Sequence, residues 1–418
     1  MSFFQKNKTK VNFLSIVLGN FFYYGIQYLA LILFTKNYSQ EEVGLYIFAL
    51  AFIKPIFIPL NLQLRSLFVT ETDSNLKVQD YHSLRILGNI VTVISIVAIA
   101  FISSPDKLPI LLLIALIKII ESQSEMCHAI FQKKQDMVFI GVSKLINGTL
   151  IIISIYVGIV LEIEFEYLIV NWCIVSLLVL VFLDIPMSRK KDNDFLNLKK
   201  YFKLSKMKKI FWFAWPLFFL EIVSKYYESY PSLSVEKYFG LETLAIFGSI
   251  IYFKAIGGQV LTQVINIVEP KLANFFKDEQ YKEFHKLVLK LVVLGALTGI
   301  GIIVVLNFTG SFILRNIFTE EYAKHSKLLV LIATSSAISY LYSFLSTALT
   351  CMRKHYIKLP ISVIGLVLLI SLTYFNKDNL TIYNFVYYLI YSEITFAVLY
   401  YLAYFFYLKN KKRGVHGV

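Results

Sequence analysis

Five lysines fall inside apolar stretches long enough to cross a membrane: Lys54, Lys118, Lys144, Lys225 and Lys254. A cation in hydrocarbon costs about 2.5–3.5 kcal/mol on insertion scales, so each should face a cavity or an anionic partner. The first lies in IKPIFIPLNLQLRSLFVTE (53–71), with Pro55, Pro59, Asn61 and Arg65. In a continuous helix, at about 100° per residue, Lys54, Asn61 and Arg65 share one face and Gln63 points the opposite way. The prolines should kink that helix. A blander reading has Lys54 snorkelling and Arg65 marking the cytoplasmic helix end.

The stretch LPILLLIALIKIIESQSEMCHAIFQ (108–132) is a second polar centre. Lys118, Glu121 and Glu125, at i, i+3 and i+7, can reach one another down one face, and His128 continues the stripe. It reads either as a self-neutralised ladder or as a substrate contact with a titratable relay. A third centre carries Glu221 and Lys225 as an i, i+4 pair, then Glu228, between Pro216 and Pro231. Lys254 is followed by Gly257–Gly258, where a helix can loosen.

These residue types bind anions and shuttle charge. Arginine grips phosphate bidentately, and lysine acts as a point charge. Bond-making chemistry is not indicated. There is no phosphate-cradling glycine loop, zinc pattern or nucleophile elbow. The three cysteines are scattered, without a disulfide or metal spacing. The longest non-cytoplasmic loop, about 308–326, is thin for an active site. With no ATP-binding domain visible, any energy used must come from an ion gradient, the substrate gradient or a partner.

The elements that must position these residues follow from composition. The 418-residue chain is 57% hydrophobic and 16% charged. One span takes about 20 apolar residues. Repeated runs of that length predict an all-α polytopic membrane protein of about twelve transmembrane helices. Lys and Arg concentrate in the N-terminal tail, the even-numbered loops and the C-terminal tail, which puts both termini in the cytoplasm. The net charge of +14 is therefore mostly topology and no nucleic-acid footprint. The tail MSFFQKNKTK runs straight into a span without a small-residue cleavage site, so no cleaved leader is expected.

The longest charged segment divides the spans six and six. The expected organisation is an N-terminal six-helix lobe (1–187), a basic cytoplasmic linker (188–208), a C-terminal six-helix lobe (209–408) and a basic cytoplasmic tail (409–418). Six spans per half gives both halves one orientation, so any repeat would be parallel. KNYSQEEVGLYIFALAFIK (36–54) and EKYFGLETLAIFGSIIYFK (236–254) support such a repeat, each ending in a lysine. Tyrosines and phenylalanines suit interfacial belts, with a few available to stack on sugar rings.

The pattern VGLYIFALAFIKPIFIPLNLQLRSLFVTE (43–71), ending in Asn61-Leu62-Gln63-Leu64-Arg65, resembles the second-helix region of bacterial polysaccharide flippases. These are the O-antigen and capsule repeat-unit translocases of the multidrug/oligosaccharidyl-lipid/polysaccharide exporter superfamily. The resemblance implies two six-helix lobes forming a V around a central cavity. It implies a substrate that is an undecaprenyl-diphosphate-linked oligosaccharide, flipped from the inner to the outer leaflet of the bacterial cytoplasmic membrane. The expected diphosphate ligands are Lys54, Asn61, Arg65, Lys118, Lys225 and Lys254. Glu121, Glu125 and Glu221 would couple or balance charge, with a proton or sodium gradient as the energy source and no resident cofactor or metal. Expected partners are the lipid-linked substrate, membrane lipids and polysaccharide polymerase machinery. Two alternatives stand beside this: a cation-coupled drug or metabolite exporter of the same superfamily, which should have a net acidic lumen, and a membrane polysaccharide polymerase, against which the short outer loops argue.

Overall fold

The computed structural model describes residues 3–73, 75–195 and 203–415, leaving aside the side chains of 3–10, 13–14, 16–17, 217 and 409–415. The side chains of the basic tail 409–418, and residues 196–202 of the basic linker, therefore lie outside the described residues. Among the described residues all regular structure is helical.

The chain begins with α1 (Phe3–Asn37) and α2 (Gln40–Leu60). Ser39 and Glu42 start α2 with a reciprocal capping box: the Glu42 N–H donates to Ser39 Oγ at 3.3 Å, and the Ser39 N–H donates to Glu42 Oε2 at 2.9 Å. Pro55 and Pro59 lie inside α2, and each removes one backbone donor from its ladder. The chain leaves the helix just after the second. Leu62 and Gln63 take left-handed φ values of 50° and 49°, and a separate helix, α3 (Leu64–Thr70), follows. A single helix carrying Lys54, Asn61 and Arg65 on one face, as expected from periodicity, is therefore not formed. The left-handed residues cost about 1–2 kcal/mol each, and core packing offsets it. Leu62, Leu64 and Phe68 are buried in a cluster with Tyr81, Met126 and Ile130.

Next come α4 (Val78–Ser103), α5 (Leu108–Lys133) and α6 (Val138–Val160). Helices α1 and α6 approach closely at two glycines. A Cβ on Gly141 would lie 2.6 Å from the Ser15 carbonyl oxygen, and one on Gly19 would lie 2.8 Å from the Gly141 Cα. Small residues let membrane helices meet backbone to backbone. Helix α7 (Phe165–Val179) continues through a π-helical turn (Leu180–Asp184) into α8 (Ile185–Lys191).

Helix α9 (Leu204–Lys277) is 74 residues long and is interrupted at Gly240, whose φ of 84° and ψ of 177° only glycine adopts without strain. The helix does not loosen at Gly257–Gly258. Both residues stay helical, and Gly257 lies against the Tyr340 hydroxyl. The second half of the chain continues with α10 (Tyr281–Ile317), α11 (Glu320–Ala323), α12 (Ser326–Cys351), α13 (Lys358–Phe375) and α14 (Ile382–Val415). The loop expected at about 308–326 is shorter than read, because α10 carries its apolar ladder on to Ile317.

Two compact units divide the chain, Met1–Leu233 and Ser234–Val418. The boundary falls within α9. Its first part belongs to the first unit because Met207, Ile210 and Ala214 join that unit's core. Lys206 and Lys209 also pair with Asp80 at 3.2 Å and Asp73 at 2.8 Å.

Ten described segments are long and apolar enough to cross a membrane. One of them, Phe218–Lys277, has 60 residues and contains the Gly240 break. Helix α5 is not among the ten, because every stretch of spanning length in it carries Lys118, Glu121 and Glu125 together. The expected twelve spans are reached only by dividing the first and admitting the second. The chain is a multi-pass α-helical membrane protein.

Candidate functional site: charged groups within the first unit

The break after α2 sets the geometry of the site. Lys54, seven residues before it, makes a 2.5 Å ion pair with Glu228 Oε2 on α9. The other oxygen of Glu228 is 2.8 Å from Lys225 Nζ, one turn back on α9. One carboxylate is thus held between two ammonium groups, one on each oxygen. The expected Glu221–Lys225 pair is not made. Lys225 turns to Glu228, and Glu221 accepts a 2.8 Å hydrogen bond from the Gln63 amide. Gln63 reaches α9 because its left-handed backbone redirects it.

Beyond the break, Arg65 Nε donates to Gln132 Oε1 at 3.0 Å. Asn61 accepts a long 3.4 Å contact from Ser122. On α5 the upper half of the expected ladder exists: Lys118 Nζ is 2.9 Å from Glu121 Oε2. Glu121 also accepts from the Tyr23 hydroxyl of α1 at 2.6 Å. Glu125 does not join this ladder. It is exposed, and the charges acting on it are those of Arg65, Arg85, Lys144 and His128, drawn from four helices.

Arg85 and Lys144 did not enter the site read from sequence. Arg85 is 1% exposed and has the largest fully buried side chain. Its Nη2 contacts Met126 Sδ at 3.8 Å, while Nε and Nη1 have no partner among the described residues. Its place at the start of a span carries no sequence signal that separates it from the loop cations. Lys144 donates to Asn20 Oδ1 at 2.5 Å and lies 5.7 Å from the Tyr23 ring centre. Tyr24, next along α1, lies in the field of Glu125, Glu121, Arg65 and Lys225, so α1 borders both the α5 and α9 charge groups.

Among these groups the cations (Lys54, Arg65, Arg85, Lys118, Lys144 and Lys225) outnumber the carboxylates (Glu121, Glu125, Glu221 and Glu228) six to four. Three of the cations, Arg65, Arg85 and Lys144, hydrogen-bond only neutral groups among the described residues. His128 stands apart in a closed buried group. Its Nε2 is 3.1 Å from Ser143 Oγ, which donates to Asp184 Oδ1 at 2.6 Å from the π-helical turn.

Lys254 belongs to the second unit. There it makes a 2.5 Å ion pair with Glu393 Oε1 on α14 and donates to Ser335 Oγ at 2.9 Å. The Glu393 side chain is 1% exposed, and its second oxygen has no partner among the described residues. Lys254 is thus neutralised within the second unit. No group of His, Cys, Asp and Glu able to hold a metal occurs among the described residues.

Comparison with known proteins matches this architecture. The profile of a family described as "Polysaccharide biosynthesis protein" matches residues 62–327. The chain is 28% identical over 346 residues to the capsular polysaccharide biosynthesis protein CapF of Staphylococcus aureus, covering 81% of this chain and 84% of CapF. Among solved structures, an inward-facing multidrug resistance MATE family transporter of the MOP superfamily superposes with a TM-score of 0.72 at 10% identity, covering 96% of this chain and 99% of that one. The lipid II flippase MurJ, in an inward closed conformation, also gives 0.72, at 15% identity over 92% of this chain and 86% of its own. At such identities the structural likeness establishes a shared fold.

Proposed function

The chain belongs to the polysaccharide biosynthesis protein family, and from that premise we propose that it flips undecaprenyl-diphosphate-linked oligosaccharide repeat units from the inner to the outer leaflet of the bacterial cytoplasmic membrane. The product feeds surface polysaccharide assembly, either O-antigen or capsule. Both termini are cytoplasmic, as the Lys and Arg asymmetry indicates.

The observation that carries this reading is the excess of cations over carboxylates in the first unit. A diphosphate bears about two negative charges and pays a large desolvation cost in hydrocarbon. Arg65 offers a planar fork to phosphate oxygens, and Lys54, Lys118, Lys144 and Lys225 supply point charges. The prenyl chain stays in the bilayer while the headgroup is carried between these groups. Alternating access moves it outward, and Glu121, Glu125 and Glu221 balance or couple charge, with a proton or sodium gradient as the drive. The cationic balance runs against the acidic lumen expected of an organic-cation exporter.

The test is translocation of purified undecaprenyl-diphosphate oligosaccharide in proteoliposomes. Lys54→Ala and Arg65→Ala are each expected to slow transport, and the double variant to slow it further. Full transport by a well-folded double variant would exclude the role given to these cations.

A further inference from the structure

We infer that Glu228 is a built-in counter-ion, occupying the place that a phosphate group of the substrate takes between Lys54 and Lys225. The inference rests on the anionic-substrate reading above and goes beyond it by naming what the substrate displaces. Its two carboxylate oxygens are divided between the two ammonium groups, Oε2 to Lys54 at 2.5 Å and Oε1 to Lys225 at 2.8 Å. Two oxygens of one anion, each on a separate cation, is the arrangement a phosphate would make there. The group is also reachable. The side chains of Lys54, Lys225 and Glu228 are 38%, 24% and 42% exposed, whereas the carboxylate of the Lys254–Glu393 pair is 1% exposed.

The exchange solves a charge problem. An empty carrier with two unpaired ammonium groups in a spanning region would bear a desolvation penalty, which the internal carboxylate removes. An incoming phosphate substitutes for Glu228, and the carboxylate is released toward solvent. The release also has a mechanical consequence. Glu228 and Glu221 both tie α9 to the α2–α3 region, Glu228 through Lys54 and Glu221 through the neutral Gln63 amide. Only the first tie depends on a charge that a phosphate can replace. Substrate binding therefore loosens α9 from α2 shortly before that helix enters the second unit at Ser234.

The experiment measures binding of inorganic pyrophosphate and of geranyl diphosphate to the full-length protein in detergent, by calorimetry at low ionic strength. Glu228→Gln is expected to bind pyrophosphate at least about tenfold more tightly than the wild type, because no internal anion competes. Glu166→Gln removes one exposed negative charge from the first unit without freeing a lysine, and is expected to stay within about twofold of the wild type. Adding Lys54→Met to Glu228→Gln is expected to abolish the gain. Equal or weaker binding by folded Glu228→Gln, or an equal gain in Glu166→Gln, overturns the inference while leaving the anionic-substrate reading intact. If neither the wild type nor any variant binds either diphosphate, the anionic-substrate reading fails and the inference with it. Should Glu228→Gln not fold, Glu228→Asp is used instead. It is one methylene too short to hold both lysines, so about a threefold gain is expected and no gain overturns the inference.

Discussion

Gln63 donates its side-chain amide to Glu221 at 2.8 Å, across 158 positions of chain, from a residue whose backbone φ is 49°. Helical periodicity counted from Lys54 would send that amide to the far side of α2. The left-handed turn at Leu62 and Gln63 reverses it, and by doing so brings the end of α2 against α9.

The turn makes a direct prediction for stability. Gln63→Val places a β-branched residue at a left-handed position and is expected to lower stability by about 1–2 kcal/mol, besides losing the bond to Glu221. Gln63→Gly relieves the backbone but loses the same bond, so it should sit near the wild type. Thermal unfolding of both variants in detergent checks the ordering. A Val variant as stable as the Gly variant would contradict a strained turn.

The α1–α6 crossing is predicted to be intolerant of bulk. Gly141→Leu drives a side chain into the Ser15 carbonyl, only 2.6 Å from where the Cβ must sit. The expected result is loss of a monodisperse peak in size-exclusion chromatography, or a large drop in unfolding temperature. Gly25→Leu, on the same helix α1, meets nothing within 4 Å and is the matched control, expected to be tolerated.

The Lys254–Glu393 pair should show an asymmetric cost. Lys254→Met leaves a carboxylate that is 1% exposed without its cation, and breaking a buried pair typically costs about 3–5 kcal/mol. Glu393→Gln leaves a lysine that is 22% exposed and still bonded to Ser335, so it should cost less. The double variant should recover much of the Lys254→Met loss. Unfolding temperatures for the two single variants and the double close the cycle.

Glu71, in the segment between α3 and α4, gives a pH prediction. The Tyr81 hydroxyl donates to it at 2.6 Å and the Asp73 backbone N–H at 2.7 Å. These bonds, the Tyr81 one foremost, hold its carboxyl below the ordinary range. A depressed carboxyl contributes stability that is fully present above its unfolded pKa and is lost as pH falls through the folded value. Unfolding temperature should therefore fall on acidification below the ordinary carboxylate pKa, about 4.3. Glu71→Gln should flatten that part of the curve. An unchanged acid limb in the variant would remove Glu71 as its source.

Sequence alone determined the class of this protein and the residue types of its chemistry. Apolar runs of spanning length and the low charge content demand helices in a bilayer, because no other open structure satisfies its backbone there. The resemblance of residues 43–71 to polysaccharide flippases pointed to the family that the profile match then established. Local spacing also sufficed for Lys118 and Glu121, which meet because three residues along one helix is contact distance. Only the tertiary structure decided the partners. Whether Lys225 pairs with Glu221 or Glu228 depends on Lys54 and Gln63 arriving from another helix, and that depends on where α2 breaks. Arg85 and Glu393 were illegible for a related reason: burial is set by the helices packed around a residue, and a helix's own periodicity does not say which neighbour will cover it.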